Sequence, residues 1–154
     1  MMTGMPTPDL HDTIRARLAE VGQRYTRRRR ELVEFLVRTG NPVAIPQILR
    51  ARKLAQSSVY RNLGELERAG VVRRVSTEDE HGRYELAEDL TEHHHHLMCS
   101  SCGRVEDLLV PPALERSLER TLDGVARSAG FAEVDHRLDL IGVCSDCAST
   151  SSGR

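Results

Sequence analysis

Two Cys-x-x-Cys pairs, Cys99 with Cys102 and Cys144 with Cys147, restrict the fold of this chain more than any other feature. Pairs at that spacing, separated by a segment long enough to fold back, can close a tetrahedral thiolate cage of the kind a structural Zn²⁺ requires. They use every cysteine in the chain. Directly before the first pair stands His93-His94-His95-His96, inside the chain and three residues from a cysteine, where an expression tag would not be. If the run is extended, side chains alternate, so His93 and His95 face one way and His94 and His96 the other. That geometry favours two further metal sites over one.

At 154 residues the chain holds one full domain or two small ones. No apolar run approaches the ~20 residues that would span a bilayer, and the N-terminus lacks a basic region followed by an apolar one. The expectation is a cytoplasmic protein with no membrane partner, where reduced thiols favour metal over disulfides. The net charge of -1 hides a division. Residues 1–75 carry 15 Lys and Arg against 7 Asp and Glu, and residues 76–154 carry 7 against 16. A basic half suits a polyanion such as nucleic acid, and an acidic half with histidines and cysteines suits cations.

In the basic half, residues 1–8 read as a frayed terminus. Leu10, Ile14, Leu18 and Val21 then mark one face of a helix stopping near Gly22. Thr26 suits the N-cap of a second helix carrying Leu32, Phe35 and Leu36, ended by Gly40-Asn41-Pro42. Four arginines, Arg27 to Arg30, open that helix against its positive dipole end, a repulsion that an anionic partner would relieve. Pro46 suits the first turn of a third helix through about Arg52. A fourth, about Gln56 to Ala69, buries Val59, Leu63 and Leu66 and exposes Gln56, Ser57, Ser58, Tyr60 and Arg61 at its start. Two helices joined by a tight turn, the second presenting hydrogen-bonding groups, fit a helix-turn-helix. Val71 to Val75, a turn around Glu78 to Gly82, and Arg83 to Leu86 read as a hairpin wing.

In the acidic half, Ala87 to Glu92 reads as a hinge. Gly103 to Val110 looks like a returning strand that closes the first cysteine knuckle. Pro111-Pro112 starts a helix with Leu114, Leu118, Leu122 and Val125 on one face. Ala132, Val134, His136, Leu138 and Leu140 alternate with charged residues as in a strand with one apolar face. On periodicity alone, His136 there is a packed core residue before it is a ligand.

These segments resemble the ferric uptake regulator (Fur) superfamily of metal-dependent repressors. The matching residues are Gly22-Gln23-Arg24-Tyr25-Thr26 with Arg29, Ser58-Val59-Tyr60-Arg61-Asn62-Leu63, Arg83-Tyr84-Glu85-Leu86, His93 to Leu97 with Cys99-x-x-Cys102-Gly103, and Gly130-Phe131 through His136 to Gly142-Val143-Cys144-x-x-Cys147. The resemblance implies an α+β fold, with an N-terminal winged helix-turn-helix domain over residues 9–86 and a hinge at 87–92. A small C-terminal α/β dimerisation domain would follow at 93–148, with a disordered tail at 149–154. It implies structural Zn²⁺ on Cys99, Cys102, Cys144 and Cys147. A second site would take His93, His95 and His136 with Glu115, one residue beyond the family's spacing, which lands on Leu114. A sensor site would take Glu85, His94, His96 and Asp107, with His81 as a substitute ligand. Family iron sensors usually offer a His where Asn41 stands, and zinc sensors a Cys that this chain lacks. The His run looks most like the zinc sensors. By the same resemblance, Tyr60 and Arg61 would reach the major groove and Arg24 the backbone or minor groove, with Tyr25, Arg27, Arg28, Ser57 and Ser58 beside them.

The expectation is therefore a homodimer that binds double-stranded operator DNA when loaded with regulatory Zn²⁺ or Fe²⁺, Mn²⁺ or Ni²⁺ being alternatives. It would repress zinc or iron uptake genes and turn over no small-molecule substrate. An iron- or peroxide-sensing member of the same superfamily is the nearest alternative. Two readings of other classes compete. A zinc hydrolase would need an open coordination position and a general base, and no His-Glu-x-x-His or comparable motif is present. A zinc-ribbon module would bind DNA regardless of added metal.

Overall fold

The computed structural model describes residues 8–75 and 82–151. Helix α1 (Pro8–Glu20) buries Ile14 and Leu18, one side of the periodic stripe, and the chain reverses at Gly22, whose φ of 71° suits a residue without a Cβ. Helix α2 (Arg27–Thr39) begins where Thr26 Oγ1 accepts the Arg29 N–H, and stops at Gly40, which is left-handed at φ 69°. A two-residue strand β1 (Val43–Ala44) leads into α3 (Ile45–Ala51), and α4 (Gln56–Arg68) follows. Strands β2 (Val72–Val75) and β3 (Arg83–Leu86) form the antiparallel wing, with β1 added on the far side of β3. The helices and the wing share one core, in which Leu32, Ile48, Val59, Leu63, Leu66 and Val71 are almost wholly shielded from water.

The expected hinge is tied down over its first half. Ala87 donates its N–H to Val71 O, a 3-10 turn spans Glu88–Leu90, and Leu90 packs against the core. Arg17 also grips Asp89 with both terminal nitrogens and donates to Gly70 O. Only residues 91–94 remain irregular before the second domain.

That domain is built on strand β4 (His95–Cys99), which pairs antiparallel with β5 (Val105–Leu108) and parallel with β6 (Asp139–Gly142). Helix α5 (Pro112–Ser128) and a last helix α6 (Ser145–Ser151) complete it. Helix α6 carries regular structure to Ser151, past residue 148, where the tail was expected to begin. The strand expected from Ala132 to Leu140 also shifts, since pairing starts only at Leu138 O, which accepts His96 N–H, and runs on to Gly142. Glu133 has φ 52°, a left-handed turn that interrupts an extended run, and the Asp135 carboxylate caps the His136 N–H. The alternation of 132–138 thus records a turn that swings His136 toward α5.

The expected apolar stripe of α5 faces outward in this single chain. Leu114, Leu122 and Val125 are exposed, as are Leu97 on β4, Phe131, and Leu140 and Ile141 on β6. No helix among the described residues is long and apolar enough to cross a membrane.

Candidate metal centres

Three clusters of ligand-type side chains form, and within each the candidate ligand atoms lie within 4.8 Å of one another. The first is the set of four cysteines. Gly103, at φ 70°, lets its N–H turn back to Cys99 O, so the first pair forms a tight knuckle, and the Cys144 N–H donates to Cys99 Sγ at 3.3 Å. Backbone N–H groups of Cys144 and Cys102 hold the Cys99 thiol down at about 6, favouring the thiolate. Cys102 Sγ and Cys144 Sγ stand 3.9 Å apart as free thiols. A tetrahedron with Zn–S bonds of ~2.3 Å has edges of about 3.8 Å, so the spacing fits zinc.

The second cluster joins His93, His95, Glu115 and His136. His93 and His95 flank the start of β4, and their ring centroids are 4.7 Å apart. Glu115, in the first turn of α5, is the shared acceptor. Its Oε2 meets His95 Nε2 at 2.8 Å, and its Oε1 stands 3.2 Å from His93 Nε2 and 2.9 Å from His136 Nε2. The hydrogen bond from His95 holds the Glu115 carboxyl below its usual range. Glu115 Oε1 and His136 Nε2 are shielded from water and close, yet neither has a hydrogen bond in acceptable geometry. Atoms drawn together without hydrogen-bonding one another are what a cation between them requires. Glu115 stands in this cluster, whereas Leu114, where the family's spacing lands, lies exposed.

The third cluster is Glu85, His94, His96 and Asp107. Glu85 lies on the wing, whereas His94, His96 and Asp107 belong to the second domain, so this centre straddles the two. Glu85 Oε2 stands 3.1 Å from both His94 Nε2 and His96 Nε2, and Asp107 Oδ1 is 3.9 Å from His94 Nε2. The outer nitrogens are held separately: His94 Nδ1 by Glu92 O at 2.9 Å and His96 Nδ1 by Asp139 Oδ1 at 3.1 Å. Anchoring Nδ1 leaves Nε2 as the atom each ring offers. Burial pushes the Glu85 carboxyl up, but hydrogen bonds from His94 and His96 and the charge of Arg73 outweigh it and hold it well below the carboxylate range. Its partner His94 is raised to about 9 by the same bond. Burial, with the neighbouring charge of Glu85, lifts Asp107.

Sequence reasoning singled out Asn41 for what it is not, and missed what it does. Its Oδ1 accepts the Asp107 N–H at 3.0 Å, a direct tie from the first domain to β5. Asp139 and Glu88 were missed as well, since isolated acids carry no local signal of the histidines they meet. His81 lies outside the described residues.

The proposed DNA contacts divide. Arg24, Arg27, Arg28, Ser57 and Arg61 are exposed, and Tyr60 is half exposed. Ser58 is buried, where its hydroxyl accepts from Arg28 Nη1 and from Asn62 Nδ2, so the fold uses its polar group internally. Tyr25 packs against the core with its hydroxyl 2.8 Å from His11 Nδ1, and burial lifts it to about 12. Within the arginine run, Arg29 alone turns inward, donating to Asn62 Oδ1 at 3.2 Å, Arg24 O at 2.6 Å and Gln23 Oε1 at 2.9 Å.

Comparison with known proteins agrees with this layout. The ferric uptake regulation protein of Legionella pneumophila is 37% identical over 91 residues, which span 59% of this chain and 62% of that protein's length. Among solved structures, the Helicobacter pylori ferric uptake regulator Fur, described as having three functional metal binding sites, superposes with a TM-score of 0.70 at 24% identity, covering 91% of this chain and 92% of the other. A zinc-bound manganese uptake regulator superposes with a TM-score of 0.61 at 33% identity, covering 86% and 98%. The profile of the ferric uptake regulator family matches residues 20–141, from the end of α1 through β6, and with both the winged fold and the three ligand clusters in place, the chain belongs to that family.

Proposed function

We propose that this chain is a metal-responsive transcriptional repressor that binds operator DNA as a homodimer in the cytoplasm. Members of the family are transcription regulators rather than enzymes. One observation carries the reading: the Glu85, His94, His96 and Asp107 cluster draws ligands from the wing and from the second domain. A metal held there fixes the angle between the domains, and coordination supplies the differential free energy a switch requires. The cysteine cage would hold Zn²⁺ as a structural element, and the Glu115 centre would hold a further ion.

The DNA face is the exposed start of α2 and α4, with Arg27, Arg28, Ser57, Tyr60 and Arg61. The partner in the dimer is a second copy seated on the apolar face of α5, β4 and β6. Leu97, Val125, Phe131 and Ile141 are between 43% and 67% exposed, large apolar side chains on the second domain that a second copy would cover. Two copies related by a twofold axis match a palindromic operator. The domains themselves are read as 9–86 and 93–148, on either side of the anchored linker.

Zn²⁺ is the regulatory metal we favour, from the look of the His run. A second reading, Fe²⁺, is favoured by the donor set of the domain-spanning centre, two imidazoles and two carboxylates without a thiolate, a harder set than the cysteine cage. Elemental analysis paired with operator binding tests the proposal. About one zinc per chain should survive mild chelation while DNA affinity falls, and affinity should return with one of Zn²⁺, Fe²⁺, Mn²⁺ or Ni²⁺. DNA affinity that ignores every metal would refute the switch and leave a zinc-stabilised DNA-binding module.

A further inference from the structure

We infer that Arg73 is a positioning residue that couples the two histidine–carboxylate centres, so that filling one raises the metal affinity of the other. The inference rests on the reading that both centres bind metal. Its basis is an unbroken chain of paired groups between them. Arg73 on β2 stands directly across the ladder from Glu85 on β3, where its Nε donates to Glu85 Oε1 at 2.5 Å. The other oxygen of that carboxylate, Oε2, is the one turned to His94 and His96. From the same guanidinium, Nη1 donates to Glu88 Oε2 at 3.1 Å, and Glu88 Oε1 pairs with His93 Nδ1. His93 Nε2 in turn faces Glu115 Oε1 in the second centre.

Each carboxylate in this chain is divided in the same way. Glu85 gives one oxygen to Arg73 and one to the histidines, and Glu88 gives one to Arg73 and one to His93. Two nitrogens of one planar guanidinium, each bonded to a different carboxylate, fix both carboxylates relative to each other, which an ammonium on a flexible stem would not do. The side chain of Arg73 is only 14% exposed and that of Glu85 8%, so the link is weakly screened by solvent. Glu88 is the joint. It sits in the anchored 3-10 turn, belongs to neither ligand set, and touches both through Arg73 and His93.

The consequence is a reciprocal coupling. An ion on His93 Nε2 fixes that ring with its Nδ1 toward Glu88, which orders Arg73, which holds Glu85 with Oε2 presented to the other centre. The second ion then meets a ligand whose orientation no longer has to be selected, so its affinity rises, and by linkage the effect runs equally in reverse.

Co²⁺ is the probe, added to protein whose cysteine cage retains zinc, with its ligand-field bands and calorimetry read together in a two-site titration. His136→Ala disables the second centre without touching the chain of pairs, and should weaken Co²⁺ binding at the domain-spanning centre about tenfold, within the usual range of coupling between sites. In Glu88→Gln or Arg73→Gln protein, the same His136→Ala change should alter that affinity less than about twofold. Glu88→Gln keeps the size and shape of a side chain in the 3-10 turn outside the core, so the test survives if Arg73→Gln fails to fold. If His136→Ala costs the same with and without Glu88 and Arg73, or costs nothing in the parent, the coupling is overturned while the metal-site reading stands. If the parent takes up no Co²⁺ beyond its cage, both fall.

Discussion

Arg29→Met separates a structural arginine from three solvent-exposed ones, proposed to face DNA, in a run the sequence presents as uniform. Methionine retains most of the apolar stem and removes the guanidinium. Asn62 Oδ1 and Arg24 O, which accept from Arg29 at 3.2 Å and 2.6 Å, are then left without that donor, whereas the half-buried Gln23 can turn to water. Arg24 O keeps the Thr26 N–H at 3.0 Å, so the loss is one orphaned acceptor at about 1–3 kcal/mol and one charge-assisted hydrogen bond at about 1.5–3 kcal/mol, together about 3 kcal/mol. For a domain of this size, ~1 kcal/mol shifts the midpoint by about 4–8 °C, so the helical domain should melt roughly 12–24 °C lower. Thermal unfolding followed by circular dichroism at fixed zinc content measures this. Below the new midpoint, the salt dependence of operator binding should keep its parent slope. Arg28→Met should do the reverse, leaving the midpoint within about 2 °C and flattening the slope of log K against log salt by about 0.9, one phosphate contact. An Arg29→Met protein that melts like the parent and loses salt slope would refute the reasoning, because Arg29 would then be reaching DNA.

Three further outcomes follow from the centres and the apolar face. The folded pKa of His94, raised to about 9, lies above the ordinary 6.5, so its pairing stabilises the metal-free protein fully below pH 6.5 and is lost as pH rises through about 9. Metal must displace that proton, so Zn²⁺ affinity at the domain-spanning centre should climb over the same window, read by competition titration at several pH values; a flat profile would remove the proton from the ligand set. Asp139→Ala, which frees His96 Nδ1, should weaken metal binding there about tenfold without changing cysteine-bound zinc, measured by titration after elemental analysis. Glutamate at both Leu122 and Val125 should convert a dimer to monomer in sedimentation equilibrium, and a dimer that persists would place the interface elsewhere.

The parts of the fold that could be read directly are those where one residue decides a local outcome. Thr26 and Gly40 bound α2, Gly22 and Gly70 stop their helices, and the spacing of Val59, Leu63 and Leu66 sets the buried face of α4. The alternate grouping of the four histidines was legible for a related reason: the chain runs extended into β4, although only His95 and His96 lie on the strand. What failed was periodicity without a partner strand. Residues 132–138 alternate, but the chain offers them no neighbour until Leu138 meets β4, and Glu133 takes a left-handed conformation instead. Strand β1 was invisible because two residues hold no period; its pairing with β3 decides it. The inward turn of Arg29 was equally hidden, because a run of identical residues on a helix differs only in angle about the axis.

The pairs that tie the two domains together share that invisibility, and they explain why the centre between the domains is poised rather than locked. Asn41 Oδ1 accepts the Asp107 N–H, and Glu88, held by Arg73, meets His93 Nδ1, so the first domain and the second are already close without an ion. The ligand carboxylate Glu85 is meanwhile occupied by His94 and His96, which hold it as a charged pair. An arriving ion therefore replaces imidazole–carboxylate hydrogen bonds with coordination instead of assembling a site from separate domains. The cost of bringing the domains together is met by polar contacts that do not depend on metal, and the ion contributes the difference between two ways of satisfying the same Glu85 oxygen. A site arranged in this way would suit the proposed sensor, whereas the cysteine cage, whose four sulfurs all lie within the second domain, has no domain angle to report and would suit a permanent ion.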